Sequence, residues 1–239
     1  MLMLRKGYEH MSIQDILEEV QISSGAFHHY FASRGALLEA FIERVKEASD
    51  QPLRQLIDNP TLSASEKLQG FFETLDRLRM EHQAEVVTIG RVWYSESNAV
   101  VRLRVHEVLG RQRAQLLGEI IQQGVEEGCF AVAYPDKAGE VLVALLQAMG
   151  DRHAEVLFAC HQADKQLYHR IAEIVTTHAV YLDAIERVLG VPSHTFARTN
   201  AAAVQRWIEA VRVSYQSATS DESPAQGHPP VLHVPSAGK

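Results

Sequence analysis

Cysteine is nearly missing from this chain: Cys129 and Cys160 are the only two among 239 residues. A disulfide scaffold is excluded, and both thiols suit a reducing compartment. Aromatic residues are sparse at 7%. No apolar run approaches the roughly 20 residues that a membrane helix needs. The apolar start, Met1 to Leu4, is followed rather than preceded by Arg5 and Lys6, the reverse of a secretion signal. A cytoplasmic protein is expected. Positive charge is also short. Lys and Arg number 23 against 30 Asp and Glu, a net charge of −7. That excludes a uniformly basic nucleic-acid coat but not a local binding face.

What is present is helix-forming sequence with ample apolar material for a core, 46% of residues. Apolar residues recur at three and four, and no segment alternates as a strand would. The fold class is all-α. Helices are expected near 12–19, 24–30, 34–49, 64–90, 96–108, 111–127, 136–158, 164–189 and 200–217. Pro52 and the run Asp58-Asn59-Pro60 mark a break, and Ser63 or Ser65 is placed to cap the next helix. The stretch from Ser217 is rich in Ser, Pro, Gly and Ala and reads as disordered. The division is a small head over 1–50, a helical body over 51–217 and a tail over 218–239. A head of this size packs on the body, sharing the 34–49 helix.

The most informative segment is 7–37. Ser12 precedes Ile13, Ile16 and Leu17, an apolar face at helical spacing, and Asp15 completes an acidic capping box. Val20 and Ile22 straddle a turn. Ser23 or Ser24 then caps a second short helix holding Ala26, Phe27, Tyr30 and Phe31. Two short helices with a tight turn form a helix-turn-helix, whose second helix enters the major groove N-terminus first. Gly25 and Ala26 leave room for close backbone approach. Ser12, Ser23 and Arg34 are candidate phosphate contacts. Ser24, Gly25, Ala26 and His29 are candidates to face bases. Phe27 and Phe31 would anchor the helix from behind.

Gly7-Tyr8, Ser12-Ile13, Ile16, Ile22-Ser23, Gly25, Phe27, Tyr30-Phe31, Ser33-Arg34 and Leu37 stand at the spacing of a known pattern. The segment resembles the DNA-binding head of TetR/AcrR-type transcriptional regulators. The resemblance implies a homodimeric, sequence-specific regulator, a ligand-responsive repressor rather than an enzyme, that binds a palindromic operator in double-stranded DNA. Three positions depart from the pattern. Gln21 replaces the usual turn glycine, His28 the usual phosphate-contacting tyrosine, and Gly35 the usual glutamate. The resembled family also carries a full helix before Gly-Tyr, where only Met1 to Lys6 stand here. Either the sequence starts inside the gene product, the favoured reading, or the head stands with a truncated first helix. Through residue 50, Arg5, Lys6, Arg34, Arg44 and Lys46 face eight acidic residues, a balance of −3. That is poor for nonspecific DNA affinity. It supports the alternative of a helical ligand-binding or protein-interaction dimer that has lost DNA binding.

The body carries apolar helical faces, among them Phe71, Phe72 and Leu75, and Leu116, Leu117, Ile120 and Ile121. These read first as bundle core. The resemblance implies a cavity for a small apolar or amphipathic effector, with Arg91, Trp93, Tyr94, His106 and Gln123 as candidate lining residues. Gly128 reads as a helix end, and Pro135 with Asp136 as the next start. Helices 136–158 and 164–189 bear stripes wider than one neighbour needs, so the homodimer is expected through them. His153, Cys160, His161, Asp164 and His169 cluster in sequence without a metal-binding spacing, and no catalytic motif appears. No metal or cofactor is expected.

Overall fold

The computed structural model describes residues 2, 6–81, 87, 90, 93–94, 96–158 and 166–221. The described elements are helices: α1 (Ile13–Val20), α2 (Ser24–Tyr30), α3 (Arg34–Ile57), α4 (Ala64–Glu81), α5 (Ala99–Glu126), α6 (Pro135–Phe158), α7 (Leu167–Leu189) and α8 (Ala201–Asp221). A short 3-10 turn, Glu96–Asn98, precedes α5. Serine begins several of them. Ser12, Ser23 and Ser33 accept the backbone N–H of Asp15, Ala26 and Ala36 at the starts of α1, α2 and α3. Of the two candidates before α4, Ser63 is the cap. Its hydroxyl accepts from the Glu66 amide, while the Glu66 carboxylate accepts from the Ser63 amide at 2.8 Å. The expected end of α5 and start of α6, at Gly128 and Pro135, are borne out.

Three expectations from punctuation need correction. Pro52 does not end a helix: α3 runs through it to Ile57, so the boundary drawn at residue 50 falls inside a helix. A proline removes one intrahelical bond, but Leu53 and Ile57 beyond it are buried in the body core and hold the continuation in place. The pair 96–108 and 111–127 is one helix, α5. Gly110 sits in its interior, where an added Cβ would come within 2.9 Å of Gln147 Nε2 on α6. That glycine permits close helix–helix approach and is not a break. The last helix extends past Ser217 to Asp221. Residues 222–239, the rest of the expected tail, lie outside the described residues, as do 82–86 of the expected 64–90 helix.

The core of the body gathers Leu53 and Ile57 of α3, Leu68 and Phe71 of α4, Leu116 to Ile121 of α5, Leu142 of α6, and Leu182, Ile185 and Leu189 of α7. A second cluster packs Val204 and Ile208 of α8 on Val156, Ile171 and Ile174, so the final helix folds back on the body as expected. A third joins head to body: Leu38 and Ile42 of α3 against Val101, Val105 and Leu109 of α5, with Tyr8 and Trp93 beside them. A fourth is the head's own, built from Leu2, Met11, Ile16 and Phe27.

One buried carboxylate went unnoticed in the sequence. Glu186 on α7 is 1% exposed. Its oxygens accept the Phe196 amide and the His194 amide at 3.0 Å and the Arg198 guanidinium at 2.6 Å. Burial pushes its pKa up, but these donors together hold it below the ordinary value. The carboxylate thereby ties the connection before α8 to α7. Glu186→Ala should leave that guanidinium and two amides unpaired and lower stability by about 3 kcal/mol. Urea unfolding measures this, and an unchanged midpoint would show the carboxylate to be idle.

Candidate nucleic-acid interface

The helix-turn-helix is built from local chemistry. At α1, Ser12 and Asp15 form the full reciprocal capping box. Asp15 is also paired with Lys6. The Lys6 side chain first, and the Ser12 amide and hydroxyl after it, hold the Asp15 carboxyl down from 3.8 to about 2. α1 ends at Gln21, whose φ of 53° and ψ of 44° are left-handed. This is the conformation that the usual glycine would take freely. The Gln21 amide still donates to the Leu17 carbonyl, so the turn closes without glycine.

α2 then presents two unlike faces. Phe27 is 2% exposed and packs on the head core with Phe31, their ring centroids 5.7 Å apart. Ser24, Gly25, Ala26, His28 and His29 are all exposed, and Tyr30 is 76% exposed. No carboxylate lies on α2. Ser23 is spent as an acceptor for the Ala26 amide, which leaves its own proton for an outside acceptor. The head's acidic residues are partly neutralised. Asp15 pairs with Lys6, Glu43 with Lys46 at 2.7 Å, and Glu39 reaches Arg104 of α5 at 2.9 Å, towards the body.

Two of the candidate phosphate contacts do other work. The Ser12 hydroxyl donates to Asp15 at 2.8 Å, inside the capping box. Arg34 is half-buried. Its Nη1 donates to the carbonyls of Tyr8, Glu9 and Met11, and its guanidinium lies 4.4 Å from the Tyr8 ring centroid. It clamps the segment before α1 onto the start of α3. Sequence spacing could not reveal this role, because the three carbonyls lie 23 to 26 residues away.

The candidate effector residues separate. Trp93, Tyr94 and His106 come together. Trp93 faces His106 at 6.2 Å, and Tyr94 lies 5.9 Å from Phe158 and donates to Asp151 at 3.0 Å. Burial pushes the His106 pKa down, opposed by Asp151 and helped by Arg102 and Arg113. Arg91 lies outside the described residues. Gln123 is seventeen residues further along α5, about 25 Å away at the helical rise. Its amide is held by the Leu62 carbonyl at 3.0 Å and Lys67 at 2.8 Å. It borders a different feature, an open groove of about 750 Å³ that also touches Arg111, Gln115, Glu119 and Asp136. Asp151, Arg102 and Phe158 beside Trp93 and Tyr94 were missed. Asp151 and Phe158 come from α6, which packs across α5, while Arg102 reaches back from the first turn of α5.

Comparison with known proteins bears on this geometry. Residues 1–41 match the family model described as bacterial regulatory proteins, tetR family. The N-terminal head is thus similar to the head of that family. Over 196 residues the chain is 25% identical to the HTH-type transcriptional repressor NemR of Escherichia coli, an alignment spanning 75% of this chain and 90% of that protein. Two solved structures share the fold, each with a TM-score of 0.50 and 19% identity over 80% of this chain. They are the reduced form of Escherichia coli NemR, 93% covered, and a TetR-family transcriptional regulator from Pectobacterium atrosepticum, 89% covered. The all-helical architecture of this chain agrees with theirs.

Two predictions come from the head. Gln21→Gly should raise the thermal midpoint and Gln21→Val should lower it, a spread of about 1–2 kcal/mol set by the left-handed backbone. Equal midpoints would deny that strain. The Asp15 carboxyl ionises lower folded than unfolded, so its stabilisation is complete above pH 3.8 and is lost as pH falls towards 2. The Ser12 amide, followed by NMR, should titrate in that acidic range and stop doing so in Asp15→Asn.

Proposed function

We propose that the protein is a ligand-responsive repressor that binds a palindromic operator as a homodimer. The observation that carries this reading is the two-faced α2: Phe27 buried, and Gly25, Ala26, His28 and His29 turned to solvent. A short helix with small residues at its N-terminal end lets backbone approach the groove, and free N–H groups there favour phosphate. Ser23 and His28 take phosphates in this reading, and Ser24, Gly25, Ala26 and His29 approach bases. Arg34 and Ser12 act at one remove, by fixing the segments that carry them. The similarity to a transcriptional repressor supports the same direction of control.

Dimerisation through α6 and α7 is supported by what those helices leave uncovered. Val141 is 45% exposed on α6, with Ala144 and Ala148 exposed further along. Val180 is 61% exposed on α7, with Ala172 and Thr176 also exposed. A two-fold pairing would bury this stripe and set two recognition helices against two half-sites. The effector region in this reading is the Trp93, Tyr94, His106 and Phe158 cluster, where aromatic rings meet the polar groups of Asp151 and Arg102. That combination suits an amphipathic molecule. A cytoplasmic setting accords with the absence, among the described residues, of any helix long and apolar enough to cross a membrane. We assign the protein no catalytic role.

DNA selection with the purified protein tests the reading and yields the half-site spacing. An enriched palindrome is expected. No enrichment would favour a ligand-binding dimer without DNA affinity, to which the acidic head points. On the selected operator, His28→Ala should weaken binding by roughly fivefold at fixed salt, the value of one hydrogen bond. Unchanged affinity in that gel shift would remove His28 from the interface.

A further inference from the structure

The segment Gly7–Met11 is held from two sides at once. From the head, Arg34 draws in the carbonyls of Tyr8, Glu9 and Met11. From the body, the Asn98 side chain accepts the Tyr8 amide through Oδ1 at 2.7 Å, and the Ser97 carbonyl accepts the Glu9 amide at 3.1 Å. Asn98 is 1% exposed. Gly7 has a φ of 74°, and a Cβ there would collide with the Ser97 side chain, so the absence of a side chain at Gly7 is what lets Ser97 lie against this segment. Tyr8 packs on both the head core and the cluster shared by α3 and α5.

The other side of this contact leads to the effector region. Asn98 stands at the start of α5, four residues after Tyr94. The Trp93 carbonyl accepts from Arg102 Nη1 at 2.6 Å, and the Arg102 guanidinium lies 5.4 Å from the Tyr94 ring centroid. Tyr94 in turn reaches Asp151 of α6. Trp93 belongs to the same cluster as Tyr8. A contiguous set of packed and hydrogen-bonded groups therefore runs from the Trp93–Tyr94 region through the 96–98 turn to the segment that sets the position of α1 and α2.

We propose that Asn98 is the positioning residue that couples the effector region to the recognition helix, by fixing the Tyr8–Glu9 backbone against the start of α5. The proposal rests on the regulator reading above. A side chain that merely filled space would matter for stability alone. One that couples must let the state of the head be felt at Trp93, because coupling between two sites is reciprocal. This consequence can be read without knowing the effector.

The experiment uses the full chain carrying Trp207→Phe, so that Trp93 is the single tryptophan reporter. Operator DNA should change Trp93 emission. Asn98→Ala should abolish that change at saturating DNA and weaken operator affinity by about tenfold, within the usual range of coupling. Asn98→Asp keeps the acceptor at a helix start that favours negative charge, and it should restore both readouts. Affinity within twofold for Asn98→Ala, or an unaltered Trp93 response, would overturn the proposal. If the protein with native Asn98 selects no DNA, the regulator reading fails and amide hydrogen exchange decides the coupling. Loss of protection in Asn98→Ala should spread from Tyr8 and Glu9 into α1 and α2 and spare the body core. Loss confined to the Tyr8 amide would overturn it.

Discussion

The packing of α3 against α5 is the constraint on which the molecule depends. Each helix serves two cores. α3 gives Leu38 and Ile42 to the joint with the head, then Leu53 and Ile57 to the body. α5 gives Val101, Val105 and Leu109 to the joint, then Leu116 to Ile121 to the body. A head of about fifty residues buries too little apolar surface to be secure alone. Borrowing one side of two long helices supplies the missing area and fixes the head's direction together with its stability.

That arrangement explains which features were legible in the sequence. The helix-turn-helix was readable because its determinants are local. Serine caps, an acidic partner three residues on, and Phe27 and Phe31 one turn apart all act within a few residues. The long helices were misread at Pro52 and Gly110. Those residues weaken a helix in isolation, but here burial of Leu53, Ile57 and Leu109 on either side outweighs a local cost of about 1–3 kcal/mol. The clamping role of Arg34 was missed for the opposite reason. A lone cation near a DNA-binding helix suggests a phosphate contact, and nothing local shows that three carbonyls would be delivered to it. Glu186 lies in the same class, since its partners Phe196 and Arg198 meet it only after the chain turns back behind α7.

The candidate interface is economical in charge. α2 itself carries no lysine or arginine, and the affinity of DNA-binding proteins leans on phosphate neutralisation. A single head of this kind would bind weakly, through backbone approach, hydroxyls and imidazoles. Linking two heads converts the second contact into an intramolecular one, with a gain set by geometry rather than by new charges. In the proposed homodimer, low charge per head would make DNA binding depend on the spacing between heads. A protein whose affinity depends on spacing is one that a small rearrangement of its body can switch.

For such a rearrangement to matter, the head must not swivel freely on the body. The Gly7–Met11 segment answers this need, because it is bonded to α3 through Arg34 and to the start of α5 through Ser97 and Asn98. Tyr8 lies in the seam between two apolar clusters, so a tilt of α3 relative to α5 cannot leave it undisturbed. Packed interfaces of this kind have few intermediate arrangements. In the proposed coupling, a shift at the Trp93 end of the joint would therefore reach α2 as a change of orientation rather than be absorbed as slack.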